Sequence, residues 1–261
     1  MRRYWGQQKP PLGVPADKGH ILCPSSGLWL MNEGHGSPIV QDLSGNGNTG
    51  TLGAAGASPS WGGGQHGSAL SFDGGDHVNL TGVTDSSTSH TIVMNVYATA
   101  TGPGDYMLDF QTGRLLFAFV DDAGTSIALY DGTSWRQYGA SLLINTWYQL
   151  IFILNGATGK TSLYVNGVLY GSEQTYTPRV IGGTASLGSR YSMDSYWFNG
   201  LVEYLYIYNH VKSISEIAQL YEEPFCMVRT RRRRVIFDEI AGVPPTSSPY
   251  YYREIASRRI A

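Results

Sequence analysis

From residue 68 onward the chain is a succession of short apolar or alternating runs, each closed by Gly, Asp, Asn or Pro. SALSF (68–72) alternates and turns through DGGD into HVNL (77–80). TIVMNVYA (91–98), LLFAFVD (115–121), SIALY (126–130), WYQLIFIL (147–154), TSLYV (161–165) and LVEYLYIY (201–208) follow. Runs of this length and composition, bounded by turn residues, read as strands. Asn166-Gly167 directly after TSLYV predicts a hairpin, because a type I′ turn needs φ > 0 at both central positions. One segment breaks the pattern. In SISEIAQLY (213–221), Ile214, Ile217, Ala218 and Tyr221 fall at helical spacing, Ser213 or Ser215 supplies a cap, Glu216 sits in the first turn and Pro224 ends the run. The expected fold is an all-β sandwich or barrel with one short C-terminal helix. At 261 residues, such a domain buries its apolar surface without help from disulfides.

Residues 42–50, DLSGNGNTG, cannot make a regular element. Glycine serves there for positive φ or close approach, and asparagine tolerates the same region while bonding its own backbone. The segment is a shaped loop behind the apolar run GLWLM (27–31), and a turn, a metal cradle and a family signature are all open to it.

Charge is unevenly spread. Residues 1–18 carry +3 and residues 224–261 carry +5, whereas residues 19–223 hold six Lys/Arg against sixteen Asp/Glu. An acidic body between two basic, Pro-containing ends points to a charged partner. The reading is a basic arm (1–20), a β domain (21–223) and an Arg-rich C-terminal arm (224–261), with the first arm extended and irregular when free. Cys23 and Cys226 are the two cysteines; two free, buried thiols are favoured over a bridge between neighbouring strands. The first residues lack the apolar stretch of a secretory signal, and no run approaches a membrane span, so the chain is expected to act without a membrane.

Seven motifs in order resemble a known family: GLWLMNE (27–33), DLSGNGNTG (42–50), GSALSFDG (67–74), WYQL (147–150), LYVNG (163–167), FNG (198–200), and IYNH (207–210) with ISEI (214–217) behind it. Together they are similar to the laminin-G-like jelly roll of the concanavalin A-like lectin/glucanase superfamily over about residues 27–221. The resemblance implies a two-sheet antiparallel jelly-roll sandwich, with extended N- and C-terminal arms outside it. The Pro-rich start, the YEEPF exit and the Arg cluster add a looser similarity to virion proteins of tailed bacteriophages.

The resemblance also supplies candidate sites. Calcium often lies near such loops, which makes Asp42, Asn46 and Asn48 candidates, with oxygen donors suited to a hard cation. The family's last strand usually reads Gly-x-Ile-Asp-Glu-Val-Arg-Ile-Tyr. Here it reads GLVEYLYIY: Glu203 stands for the Asp, Tyr204 for the Glu and Tyr206 for the Arg. One carboxylate is lost, which favours a structural loop over a metal site; no other cofactor is expected. The glucanase branch's Glu-x-Asp-x-x-Glu run is missing, and the His spacings give no metal-ligand pair, so the expectation is no enzyme. A sugar-binding alternative rests on Trp135, Tyr138, Tyr191, Tyr196 and Trp197, aromatic residues in or next to loops. Partner binding is assigned to Arg231, Arg232, Arg233 and Arg234, whose forks suit carboxylate-rich protein surfaces, and to Tyr250, Tyr251 and Tyr252, which add contact area at little entropic cost. The acidic body disfavours nucleic acid. The leading expectation is a non-enzymatic virion structural protein, made in the host cytoplasm and held in an oligomeric assembly by its arms as a capsid decoration, cement, tail or fibre component. The alternative is a lectin-like adhesion module.

Overall fold

A computed structural model describes residues 7–80, 82–100, 104–119, 126–140 and 142–228. Sixteen strands and one helix follow in order: β1 (Gly27–Trp29), β2 (Ile39–Val40), β3 (Gly50–Leu52), β4 (Ser60–Gly63), β5 (Ser68–Asp73), β6 (Val78–Asn79), β7 (His90–Ala98), β8 (Asp105–Thr112), β9 (Leu115–Phe119), β10 (Ser126–Asp131), β11 (Trp135–Ala140), β12 (Trp147–Asn155), β13 (Lys160–Val165), β14 (Val168–Thr175), β15 (Gly182–Leu187), β16 (Asn199–Tyr208) and α1 (Ile214–Glu222). They form two antiparallel sheets. The first runs β14-β13-β12-β7-β16-β5-β4, with β1 also on β16; the second runs β11-β10-β9-β8-β15-β6-β3-β2. This is the expected sandwich. The predicted hairpin is present, with Val165 opposite Val168 and both Asn166 (φ 50°) and Gly167 (φ 77°) left-handed. The helix has its Ser213 cap and a full capping box with Glu216.

The sheets bury one core between them. Phe117 of β9 meets Phe152 of β12 edge-to-face at 4.7 Å between centroids. On β16, Val202, Leu205 and Ile207 face this core. A second apolar cluster covers the opposite face of the first sheet. It joins Tyr204, Tyr206 and Tyr208 to Val14, Ala16 and Leu22, to Ile217 and Leu220 of α1, and to Phe225, Met227 and Val228. The tyrosine hydroxyls fasten that cover: Tyr206 donates to the Pro224 carbonyl (2.9 Å) and Tyr208 to the Leu22 carbonyl (2.8 Å). Burial pushes the phenols of Tyr206 and Tyr208 well up, so they stay donors.

The described part of the N-terminal segment, irregular in backbone, is packed onto the sheet. Val14, Ala16 and Asp17 are buried, Ala16 bridges Val228, and the Asp17 amide donates to the Met227 carbonyl at 2.7 Å. The start and end of the described chain pair with each other over the sheet, and both belong to one compact unit with the sandwich. Cys23 and Cys226 are free thiols at this cover, and burial pushes the Cys226 thiol up to about 12. Among the described residues, no helix is long and apolar enough to cross a membrane.

Candidate functional site

The second sheet's outward face carries a cleft. Antiparallel register sets Asp109 of β8 opposite Leu116 of β9, Leu116 opposite Tyr130 of β10, and Tyr130 opposite Trp135 of β11. Because side chains alternate along a strand, residues opposite each other share a face, and these four form one row across four strands. Tyr106, Arg114, Arg190 and Tyr196 complete a cavity of about 290 Å³, near the small end of ligand clefts at roughly 300–1,000 Å³. Tyr106 and Tyr196 stack at 4.6 Å and 10°. Trp135 lies 5.3 Å from Tyr130 and 6.3 Å from Tyr106, and both Trp135 (41 %) and Tyr196 (47 %) remain exposed. Gly104 makes room for the stack, since a Cβ there would meet the Tyr196 ring at 2.6 Å.

The polar groups converge on the same space. Asp109 is 3 % exposed and its Oδ2 accepts the Tyr191 amide at 3.1 Å. Burial pushes its carboxyl up to about 6, against the pull of that amide, Arg114 and Arg190. The Arg114 guanidinium sits over Tyr130 (5.9 Å) and Arg190 over Tyr191 (5.4 Å), geometry typical of cation–π contact.

Of the five aromatic residues expected to hold sugar, Trp135 and Tyr196 line the cleft. Tyr191 flanks it, through its amide and under Arg190. Tyr138 does not reach it: it is buried (3 %) and its hydroxyl pairs with Thr161 at 2.7 Å, a core position. Trp197 packs against His77 instead, at 6.0 Å. The residues missed are Tyr106, Asp109, Arg114, Tyr130 and Arg190. Register across β8 to β11 links Tyr106, Asp109 and Tyr130 once the strands are aligned, whereas Arg114 comes from the β8–β9 turn and Arg190 from the segment after β15.

The 42–50 loop is closed by its own donors. Asp42 Oδ1 accepts the amides of Leu28 (3.1 Å) and Ser44 (2.8 Å), and Oδ2 accepts the Ser44 hydroxyl (2.7 Å) and the Asn48 amide (3.0 Å). A carboxylate offers about four acceptor positions, and all four are used. The Asn46 and Asn48 amides donate to the Ser25 and Ser26 carbonyls, while the Asn48 carbonyl accepts Trp29 Nε1 at 2.8 Å. Gly45 and Gly47 take positive φ. This donor-saturated loop does not fit a calcium ion. Glu203 does not join it. A β-bulge between Val202 and Tyr204 turns its buried carboxylate to Asn95 Nδ2 (2.7 Å), the His66 amide (2.6 Å) and His66 Nδ1 (2.8 Å). Among the described residues no group of three or more His, Cys, Asp or Glu is placed to hold a metal. Arg231 to Arg234 and Tyr250 to Tyr252 lie outside the described residues.

Residues 72–218, more than half of the chain, match the laminin-G family described as the concanavalin A-like lectin/glucanases superfamily. The chain belongs to that superfamily. Its fold is similar to domain 4 of an extracellular GH43 arabinanase from Geobacillus stearothermophilus, solved in complex with arabinotriose (19 % identity, TM-score 0.60, 75 % of this chain and 97 % of that one). It is also similar to part of the botulinum neurotoxin serotype G binding domain (13 %, 0.57, 76 % and 50 %) and of Trypanosoma rangeli sialidase (16 %, 0.55, 75 % and 32 %). The chain thus spans half and a third of those last two. No curated protein sequence matches it.

Proposed function

We propose that this domain is a carbohydrate-binding module whose site is the cleft on β8 to β11. The observation that carries the reading is the aligned row of Asp109, Leu116, Tyr130 and Trp135, closed by the stacked Tyr106 and Tyr196. A sugar ring has an apolar C–H face and a polar rim. Exposed aromatic faces suit the first, and the charged groups at the cleft's edge suit the second. The arabinotriose in the similar arabinanase domain supports this class of ligand. The role is binding rather than catalysis. Asp109 is the one carboxylate among the eight lining residues, whereas acid–base glycoside hydrolysis uses two, about 5–9.5 Å apart.

A glycan array with the full chain tests the reading, with Trp135→Ala as the site variant and Tyr138→Phe as the core control. Binding is expected, reduced at least tenfold by the first substitution and unchanged by the second. Array binding indifferent to Trp135, or none at all, defeats the proposal.

A second proposal concerns placement. The charge split between residues 19–223 and 224–261 supports anchoring of the Arg-rich segment to acidic proteins of a virion. Deleting residues 229–261 tests it, and full incorporation of the shortened chain into particles would refute the anchoring.

A further inference from the structure

Residues 19–223 contain six basic side chains: Arg114, Arg136, Lys160, Arg179, Arg190 and Lys212. Four of them are committed inside the domain. Arg136 pairs with Asp131 (2.8 Å), Lys160 with Glu173 (3.9 Å) and Lys212 with Glu216 (2.9 Å), while Arg179 Nε donates to the Asp131 carbonyl at 3.0 Å. Arg114 and Arg190 are the two whose guanidiniums make no hydrogen bond or ion pair among the described residues, and both line the same cleft. In a body with sixteen acidic residues, two unpaired cations at one small cavity are a local reversal of charge.

The backbone is arranged around that reversal. Arg114 is the second turn residue between β8 and β9, at φ 50°, and Tyr196 has φ 59°. Left-handed backbone is unfavourable for bulky side chains by about 1–2 kcal/mol. Asn or Gly would fill both positions without that cost. The turn keeps an arginine and the loop keeps a tyrosine, and each aims at the cleft.

Resting on the glycan reading above, we infer that the sugar this cleft takes is acidic, with a carboxylate held between Arg114 and Arg190 while its ring lies on the exposed Trp135. A guanidinium presents two parallel N–H donors that match the two oxygens of a carboxylate, which favours this anion over a point-charge contact. Asp109 is the one carboxylate among the lining residues, against two guanidiniums; Asp194, exposed beside the cleft, also acts on Arg190, which leaves Arg114 as the guanidinium least offset.

The test is an array of sialylated, uronate-containing and sulfated glycans, each beside its uncharged counterpart, probed with the full chain and with Arg114→Gln, Arg190→Gln and Trp135→Ala. A carboxylated member is expected to bind at least tenfold better than its neutral partner. Each Arg→Gln change should remove most of that preference, and raising NaCl from 50 to 500 mM should weaken the charged member selectively, through screening. Trp135→Ala should weaken charged and neutral members together. Equal binding of charged and neutral partners at a Trp135-dependent site overturns the acidic-sugar inference and leaves the glycan reading standing. A preference for sulfated over carboxylated members overturns the carboxylate assignment. Absence of any binding removes both readings. Circular dichroism and melting temperature confirm that each variant folds; Arg114 is exposed and its substitution leaves the core untouched.

Discussion

The Lys9 ammonium lies 3.9 Å from the Glu203 carboxylate, 194 residues along the chain, with both side chains almost wholly buried. Nζ also donates to the carbonyls of Ser68 and of Glu203 itself. Glycines let the chain come this close: a Cβ at Gly64 would meet Glu203 Oε1 at 2.5 Å, and one at Gly67 would meet the Lys9 stem at 3.0 Å. Removing Lys9 takes the ammonium from a Glu203 carboxylate that keeps its Asn95 and His66 donors, a loss of about 1.5–3 kcal/mol for a charged hydrogen-bonded contact. Lys9→Met is therefore expected to destabilise the domain by that amount in urea denaturation. The double variant Lys9→Met/Glu203→Gln should recover a large part of it. If Lys9→Met alone costs less than about 0.5 kcal/mol, as an ordinary surface change does, the N-terminal segment is not held as described.

The Asp42 carboxylate is the hub of the 42–50 loop, and hydrogen bonds to a charged group contribute about 1.5–3 kcal/mol each at most. Asp42→Ala is expected to lower stability by about 2–4 kcal/mol. Millimolar calcium should leave the melting temperature of the unsubstituted protein unchanged, because an ion would have to displace four donors already in place. A calcium-dependent rise in melting temperature that Asp42→Ala abolishes would contradict this account.

His90 opens β7 fully buried, and neither of its ring nitrogens has a hydrogen-bond partner among the described residues. Burial lowers its pKa to about 4, outweighing the nearby Asp85. The unfolded chain binds the proton near pH 6.5 and the folded chain near pH 4. Between these values the unfolded state holds more protons, so stability falls as pH falls. The loss from this one residue is about 3 kcal/mol. His90→Leu should flatten the stability profile between pH 6.5 and 4 in denaturant titrations at fixed pH. An unchanged slope would exclude His90 as its source.

Strand periodicity, the Asn166-Gly167 turn and a serine cap at 213 or 215 are local features; the turn forms where the sequence places it, and the structure settles the cap on Ser213. The 42–50 loop was legible as a shaped loop for the same reason: its glycines answer to local φ. Long-range relations were not legible. A basic, Pro-rich start has the composition of a free arm, and its Lys9 reads as one more exposed charge until a bulge at Glu203 turns a carboxylate toward it. The Tyr204 and Tyr206 replacements looked like the loss of a metal site. Their positive role, in a stacked pair at 4.8 Å under the terminal segments, depends on the segments that cover them. In sequence, Trp135 and Tyr138 are alike: aromatic residues three positions apart, in or next to a loop. Strand alternation separates the two, sending Trp135 to the cleft and Tyr138 to the core. The sequence shows no clear strand at β8 or β11, so Asp109 and Trp135 have no row to belong to until the strands are aligned.

Asp109 makes the cleft's charge depend on pH. The charged and titratable groups that act on it are Arg114, Arg190 and Tyr106, and the amides of Tyr191 and Phe110 are donors to it. With its carboxyl at about 6, Asp109 is ionised at pH 7.5 and mostly protonated at pH 5. Protonation removes a negative charge from a site built to hold an anion, while a sugar carboxylate, with a pKa near that of an α-carboxyl at about 3.5, stays ionised. Affinity for a carboxylated glycan should therefore rise several-fold as pH falls from 7.5 to 5. Asp109→Asn should show the higher affinity at both values and lose the dependence. Isothermal titration of the best acidic array member at the two pH values checks this. Affinity that falls with acid in the unsubstituted protein, or a dependence that survives Asp109→Asn, would assign the titration to another group.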